Sequence, residues 1–189
     1  MKDKNLFEML QDTPVICAVK NLKELDASLR SDCSIIFVLF GDILTIPEIV
    51  AKINASGKSA FVHIDFIEGL SSREIAVDYL AQNTKAEGVI STKAGIVIRA
   101  KKLSFFTVYR CFVLDSIAIK NIKKQIPLEH ADVIEILPGA VPKVIKKIVS
   151  LTNKPVIASG LITDKEDVLQ ALNAGAVSVS SSNPSVWKM

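Results

Sequence analysis

The stretch PVIASGLITDKEDVLQALNAGAVSVSSSN, residues 155–183, decides the fold. It holds two short apolar runs, PVIAS at 155–159 and AVSVS at 176–180, with a helical segment between them. Asp164 heads KEDVLQALNAG as an N-cap, and Asp167 stands three residues later as its partner in the first turn. Val168, Leu169 and Leu172 form an apolar stripe, and Gly175 sits where a helix commonly ends. A strand, a helix and a second strand at this spacing read as one turn of a repeated βα unit.

The same rhythm extends to the rest of the chain. Apolar runs rich in Val, Ile and Phe occur at 14–19, 35–40, 60–65, 88–92, 105–110 and 132–137, so that the eight starts lie 21, 25, 28, 17, 27, 23 and 21 residues apart. Runs that are apolar on both faces suit parallel strands buried between layers, and each gap leaves room for one helix. Ser71, with Glu74 three residues on, predicts a capping box before Ile75, Val77 and Leu80. Pro142 starts another helix carrying Val144, Ile145, Ile148 and Val149. An open doubly wound sheet usually stops at five or six strands, whereas eight βα units close into a ring. The 189 residues give each unit about 24, so the sequence predicts an α/β fold: a compact (β/α)8 TIM barrel with some helices short or missing, in one domain over residues 1–189.

Composition narrows the class. With 49% hydrophobic and 23% charged residues, 8 Gly and 7 Pro, the chain is neither disordered nor collagenous nor of low complexity. Cys17, Cys33 and Cys111 are too few and too far apart for a disulfide framework or a zinc site, and read as buried thiols of a reducing cytoplasm. No apolar run approaches the ~20 residues of a membrane span, and MKDKNLFEMLQDTP lacks the core of a leader peptide. A soluble cytoplasmic protein with no membrane partner is expected.

Net charge is +3 but unevenly placed. Residues 93–154 hold 12 basic and 4 acidic side chains, against 9 and 13 in residues 1–92. Lys120, Lys123 and Lys124, then Lys143, Lys146 and Lys147, each follow i, i+3, i+4 spacing, and Lys101 and Lys102 end the helix before. Lysine-rich helical sides are commonly mere solvated decoration. As a patch on neighbouring outer helices they would instead face a polyanion, and without interleaved aromatics a stem or duplex backbone fits better than stacked single strands.

In a parallel barrel, ligand-facing groups stand at the C-terminal strand ends. Ser159, Gly160 and Leu161 follow the seventh run, and Ser180, Ser181, Ser182 and Asn183 end the eighth. Small-residue loops at these two places hold phosphate on backbone N–H groups in many barrels, although ordinary turns use the same residues. His63 and Asp65 lie two apart, hence on one face of a strand. They read either as a polar pair closing the core or, with Glu68 and Glu135, as a site for a divalent cation or a polyol. Lys93 and Arg110 offer positive charge to an anion or to those carboxylates, a buried Lys93 being also a Schiff-base candidate, and Gly139 follows the sixth run. His130 reads as a surface residue on the opposite face, and Trp187 as an anchor for the C-terminal tail.

VHIDFIEGL at 62–70, GVISTK at 88–93, YRCFVLDSIA at 109–118, IEILPGAVPKVI at 134–145, ASGLITDKEDVLQALNAGAVSVSSSN at 158–183 and a terminal VWK together resemble the glycerol 3-phosphate-responsive antiterminator family, in order and over almost the whole chain. The resemblance implies a TIM barrel that binds glycerol 3-phosphate as effector, with no cofactor and no catalysis. It further implies RNA binding to an inverted repeat in the leader mRNA of glycerol-metabolism operons, as a transcription antiterminator. The family pattern usually has Gly at the place of Ser159 and Thr at those of Ser180 and Ser181, and FGDIL at 40–44 also departs from it. A phosphosugar or glycerol-phosphate enzyme, such as an isomerase, aldolase or phosphodiesterase, is the alternative expectation for the same mouth, and a metabolite sensor with a protein partner is a third.

Overall fold

The structure, a computed structural model, describes residues 6–70, 73–122 and 129–189. The chain order is α1 (Leu6–Asp12), β1 (Val15–Val19), α2 (Leu22–Leu29), β2 (Ile35–Val38), α3 (Ile46–Ala55), β3 (Ser59–His63), α4 (Glu74–Asn83), β4 (Gly88–Ser91), α5 (Ala94–Lys102), β5 (Phe106–Phe112), α6 (Ser116–Ile122), β6 (Val133–Leu137), α7 (Pro142–Val149), β7 (Val156–Ser159), α8 (Lys165–Asn173) and β8 (Ser178–Ser181). The eight strands pair in parallel in chain order, and β8 closes back on β1 through Ile16↔Ser180. This is a (β/α)8 barrel. Its helices have 7–10 residues, and after β8 a single 3-10 turn at Val186–Lys188 takes the place of a helix.

Side-chain alternation along the strands separates two apolar layers. Ile16 and Ala18, Ile35 and Phe37, Phe61, Ile90, Val108, Val133 and Ile157 fill the barrel interior. The rings of Phe37 and Phe61 lie 5.7 Å apart, and Phe106 stacks on Phe61 at 6.5 Å. Gly88 makes room for this stack, because a Cβ there would meet the Phe61 ring at 2.1 Å. Leu10 of α1 joins the inner cluster, so the helix before β1 packs against the barrel interior, a role that no hydrophobic period in the sequence announced. The intervening positions, among them Cys17, Val62, Val89, Ile134, Ala158 and Val179, pack outward against the helices.

Local chemistry sets the element ends. The Asp164 carboxylate accepts from Asp167 N at 2.9 Å, and the Asp167 carboxylate accepts in return from Thr163 N and Oγ, so the predicted cap of α8 is reciprocal. The predicted cap at Ser71 lies outside the described residues; α4 starts at Glu74 behind Arg73, which makes no side-chain cap bond. The strand expected over 60–65 ends at His63, and residues 64–66 form a 3-10 turn, so Asp65 does not share a strand face with His63 as the sequence spacing implied. Cys17, Cys33 and Cys111 are free and buried, and Trp187 is buried with Nε1 donating to Ser181 O at 2.7 Å. Among the described residues no helix is long and apolar enough to cross a membrane.

Candidate functional site

Continuing the inward series one step beyond the apolar filling leads to the C-terminal mouth, and there the residues turn polar. His63 follows Phe61, Arg110 follows Val108, Glu135 follows Val133, Ser159 follows Ile157, and Ser180 follows Ser178. All five are buried.

Two of them are committed to one another. Arg110 and Glu135 are register partners on β5 and β6, and the guanidinium donates to the carboxylate from Nε at 2.6 Å and from a terminal nitrogen at 3.1 Å. Ser159 Oγ donates to the same carboxylate at 2.5 Å. A pair this deep persists because each charge neutralises the other; either one alone would be an uncompensated ion in an apolar wall. Arg110 is therefore already balanced, and Glu135 does not stand free to meet glycerol hydroxyls.

Asp65 is committed as well, but to neutral donors at the exit of β4. Its carboxylate accepts from Ser91 Oγ at 2.9 Å, Thr92 N at 2.8 Å and Thr92 Oγ at 3.0 Å. It thereby ties the exit of β3 to that of β4. Glu68 is exposed, and its backbone bonds to Gly41 and Ile43 and joins the β2 exit. Lys93 is an exposed N-cap of α5, which removes the burial a Schiff-base lysine requires. Among the described residues no three His, Cys, Asp or Glu side chains converge as metal ligands.

His63 differs from all of these. Its ring is fully buried, and neither Nδ1 nor Nε2 has a hydrogen-bond partner among the described residues. Asp65 Oδ2 stands 3.9 Å from Nδ1, too far for a hydrogen bond. Burial, and then the Arg110 charge, push the imidazole down to about 3, so it is neutral at pH 7. Phe66 covers it, with ring centroids 4.3 Å apart, and the Arg110 guanidinium carbon lies 5.9 Å from the same phenyl centroid. Phe66, half exposed, went unremarked in the sequence, although an aromatic placed just past a strand end was the available signal.

At the β7 exit the backbone takes over. Gly160 and Leu161 are consecutive left-handed residues, at φ +77° and +60°, and the Leu161 side chain is exposed. Among the described residues the N–H groups of Gly160, Leu161 and Ser182 have no protein acceptor. Gly139 supports this turn from below, donating to Ser159 O at 2.6 Å and Gly160 O at 3.0 Å, and a Cβ there would meet Ser159 N at 2.6 Å. Its place is to buttress the turn. Ser181 faces the helix layer, Oγ donating to Ile162 O at 2.7 Å, and Asn183 Nδ2 donates to Thr163 O at 2.8 Å. These two residues hold the β8 exit against that of β7, so of the eighth-strand group Ser180 continues the inward series, and the Ser182 N–H has no acceptor among the described residues.

On the outer surface, Lys143, Lys146 and Lys147 are exposed on α7 and Lys102 on α5, while Lys101 pairs with Asp132. Lys123, Lys124 and the side chain of Lys120 lie outside the described residues. His130 is half-buried, and its carbonyl accepts from Thr107 Oγ.

A sequence family described as glycerol-3-phosphate responsive antiterminator matches residues 15–187. The Escherichia coli (strain K12) protein YgcP is 44% identical over 184 residues, 97% of this chain and 96% of that one. Among solved structures, the glycerol uptake operon antiterminator regulatory protein from Listeria monocytogenes aligns with a TM-score of 0.89 at 29% identity, over 99% of this chain and 97% of that one. A glycerol uptake operon antiterminator-related protein from Thermotoga maritima aligns at 0.82 and 32%, over 94% and 99%. Deoxyribose phosphate aldolase from Aeropyrum pernix, at 0.70 and 13% over 99% and 97%, shares the fold alone.

Proposed function

The chain belongs to the glycerol-3-phosphate responsive antiterminator family, and from that premise we propose that it is a cytoplasmic, RNA-binding transcription antiterminator whose effector, glycerol 3-phosphate, sits at the barrel mouth. The observation that carries the effector site is the β7 turn, where two successive left-handed residues leave the N–H groups of Gly160 and Leu161 without acceptors beside that of Ser182. Backbone N–H groups arranged this way bind an anion without any charged side chain. The glycerol end then points across the mouth toward β3. No cofactor enters this reading.

The enzyme alternative is weaker on the chemistry of the wall. None of the eight strands contains a lysine, so no inward amine is placed for a Schiff base, and Glu135, the one carboxylate facing inward from a strand, is held by Arg110 and Ser159. The RNA surface is proposed on the flank, with Lys143, Lys146 and Lys147 meeting the phosphates of a leader stem. Effector binding shifts RNA affinity only through differential affinity for the two states of the mouth loops.

Filter binding of a leader-stem RNA, with and without glycerol 3-phosphate and across salt, tests the reading. Retention is expected to rise with effector and fall steeply with salt; no retention under any condition overturns it. Gly160→Asp places a carboxylate among the phosphate-binding N–H groups and is expected to weaken glycerol 3-phosphate binding at least about a hundredfold, by charge repulsion in a partly desolvated site. Reversing the three α7 lysines to Glu is expected to cut RNA affinity and leave effector affinity unchanged.

A further inference from the structure

Two parts of the inward wall at the mouth differ. Arg110, Glu135 and Ser159 satisfy one another, whereas the fully buried imidazole of His63 has no hydrogen-bond partner among the described residues. A neutral imidazole carries one N–H donor and one bare acceptor nitrogen. Burying either without a partner is costly, and native interiors rarely leave such groups unmatched. A phosphate or carboxylate oxygen only accepts, and so completes half of the ring. A hydroxyl both donates and accepts, so it can meet whichever ring nitrogen it reaches, the N–H or the bare acceptor, whereas an anionic oxygen can meet only the N–H.

Position selects which hydroxyl. In a closed ring of eight strands, β3 and β7 are four strands apart in either direction and therefore face each other across the mouth. A ligand held by its phosphate at the β7 turn offers its opposite end to His63. We infer that His63 is the specificity-determining residue of the effector site, reading the hydroxyl farthest from the phosphate, and that Phe66 is the cover that swings aside to admit it. The inference rests on the phosphate lying at the β7 turn, as proposed above. It also gives the ligand a route to neighbouring loops. Phe66 stands between Asp65, bonded to Ser91 and Thr92, and Glu68, whose N–H donates to Gly41 O at 3.0 Å and whose carbonyl accepts from Ile43 N at 2.9 Å.

Calorimetry on the full chain, with glycerol 3-phosphate and with 2-hydroxypropyl phosphate, which lacks the far hydroxyl, tests the assignment. The unaltered protein is expected to prefer glycerol 3-phosphate by about tenfold or more. His63→Leu should bring the two affinities together, and His63→Gln, which keeps a donor and an acceptor, should restore part of the difference. If His63→Leu fails to fold, the ring nitrogens of unaltered His63 decide by 15N NMR: their resonances should move with glycerol 3-phosphate and stay in place with the deoxy analogue. Equal affinities in the unaltered protein, a full preference retained in His63→Leu, or unmoved resonances overturn the role of His63 while the phosphate site stands. Binding of neither ester to the unaltered protein overturns the phosphate reading and this inference together.

Discussion

The two sides of the barrel mouth are built on opposite plans. From β3 to β6 three charged side chains of the wall are closed into bonds: Glu135 with Arg110 and Ser159, Asp65 with Ser91 and Thr92. From β7 to β8 the inward wall ends in serines, and the N–H groups of Gly160, Leu161 and Ser182 have no protein acceptor among the described residues. The first side uses charge to hold its own wall together; the second leaves its polarity available. An acidic or basic residue at a strand end is thus a poor guide to ligand contact, since a buried charge must first find its own counter-ion.

That contrast is open to direct attack. The largest expected effect is Glu135→Ala, which strands Arg110 in the wall and should cost about 3–5 kcal/mol in urea unfolding; a loss under 1 kcal/mol would mean the pair is not the keystone of that side. Next is pH. The folded imidazole of His63 is pushed down to about 3 from an ordinary 6.5, by burial first and then by Arg110, with Asp65 opposing. Between those values the unfolded chain takes up a proton that the folded one refuses, so stability is full above pH 6.5 and declines as pH falls toward 3, by roughly one kcal/mol per pH unit. His63→Gln should flatten that decline between pH 4 and 6.5, and a curve unchanged by the substitution would contradict the burial of a neutral ring. Asp65→Asn turns an amide N–H₂ toward one of the donors of Ser91 and Thr92 and should lower stability by about 1–3 kcal/mol, read by thermal unfolding. On the open side, Leu161→Gly removes a side chain from a left-handed residue. It should raise stability by up to about 1 kcal/mol, and a loss of that size would show that the exposed leucine makes contacts of its own.

A second separation lies between mouth and flank. Lys146 and Lys147 occupy the last turn of α7, and Lys102 ends α5. Crossover helices run back from the mouth toward the N-terminal strand ends, so these lysines stand away from the mouth, and the proposed RNA surface and the proposed effector site are different parts of one barrel. The link between them must pass through helices whose first turns follow the mouth loops directly, as α5 follows Thr92 and Lys93.

The sequence made the repeating unit legible because its cause is local. Eight runs apolar on both faces, a capped helix such as the one headed by Asp164, and a mean of about 24 residues per unit admit few arrangements other than a closed ring. The mouth residues were legible as a set for the same reason, since strand ends can be counted. Their roles were not, because a role depends on which neighbour a side chain meets across the barrel. Arg110 and Glu135 are 25 residues apart and Asp65 and Thr92 are 27 apart; parallel register brings the first pair together, and the adjacent exits of β3 and β4 bring the second. The strand reading of His63 and Asp65 failed at the point where the chain leaves the sheet, a boundary that backbone pairing sets and alternation cannot see. The support that Gly139 gives the β7 turn was not legible, because the close approach of Ser159 exists only once β6 and β7 are side by side. Short-range periodicity therefore wrote the barrel, while partnership between distant charges, the isolation of one imidazole and the openness of one turn were decided only when the ring closed and dielectric, distance and burial took effect.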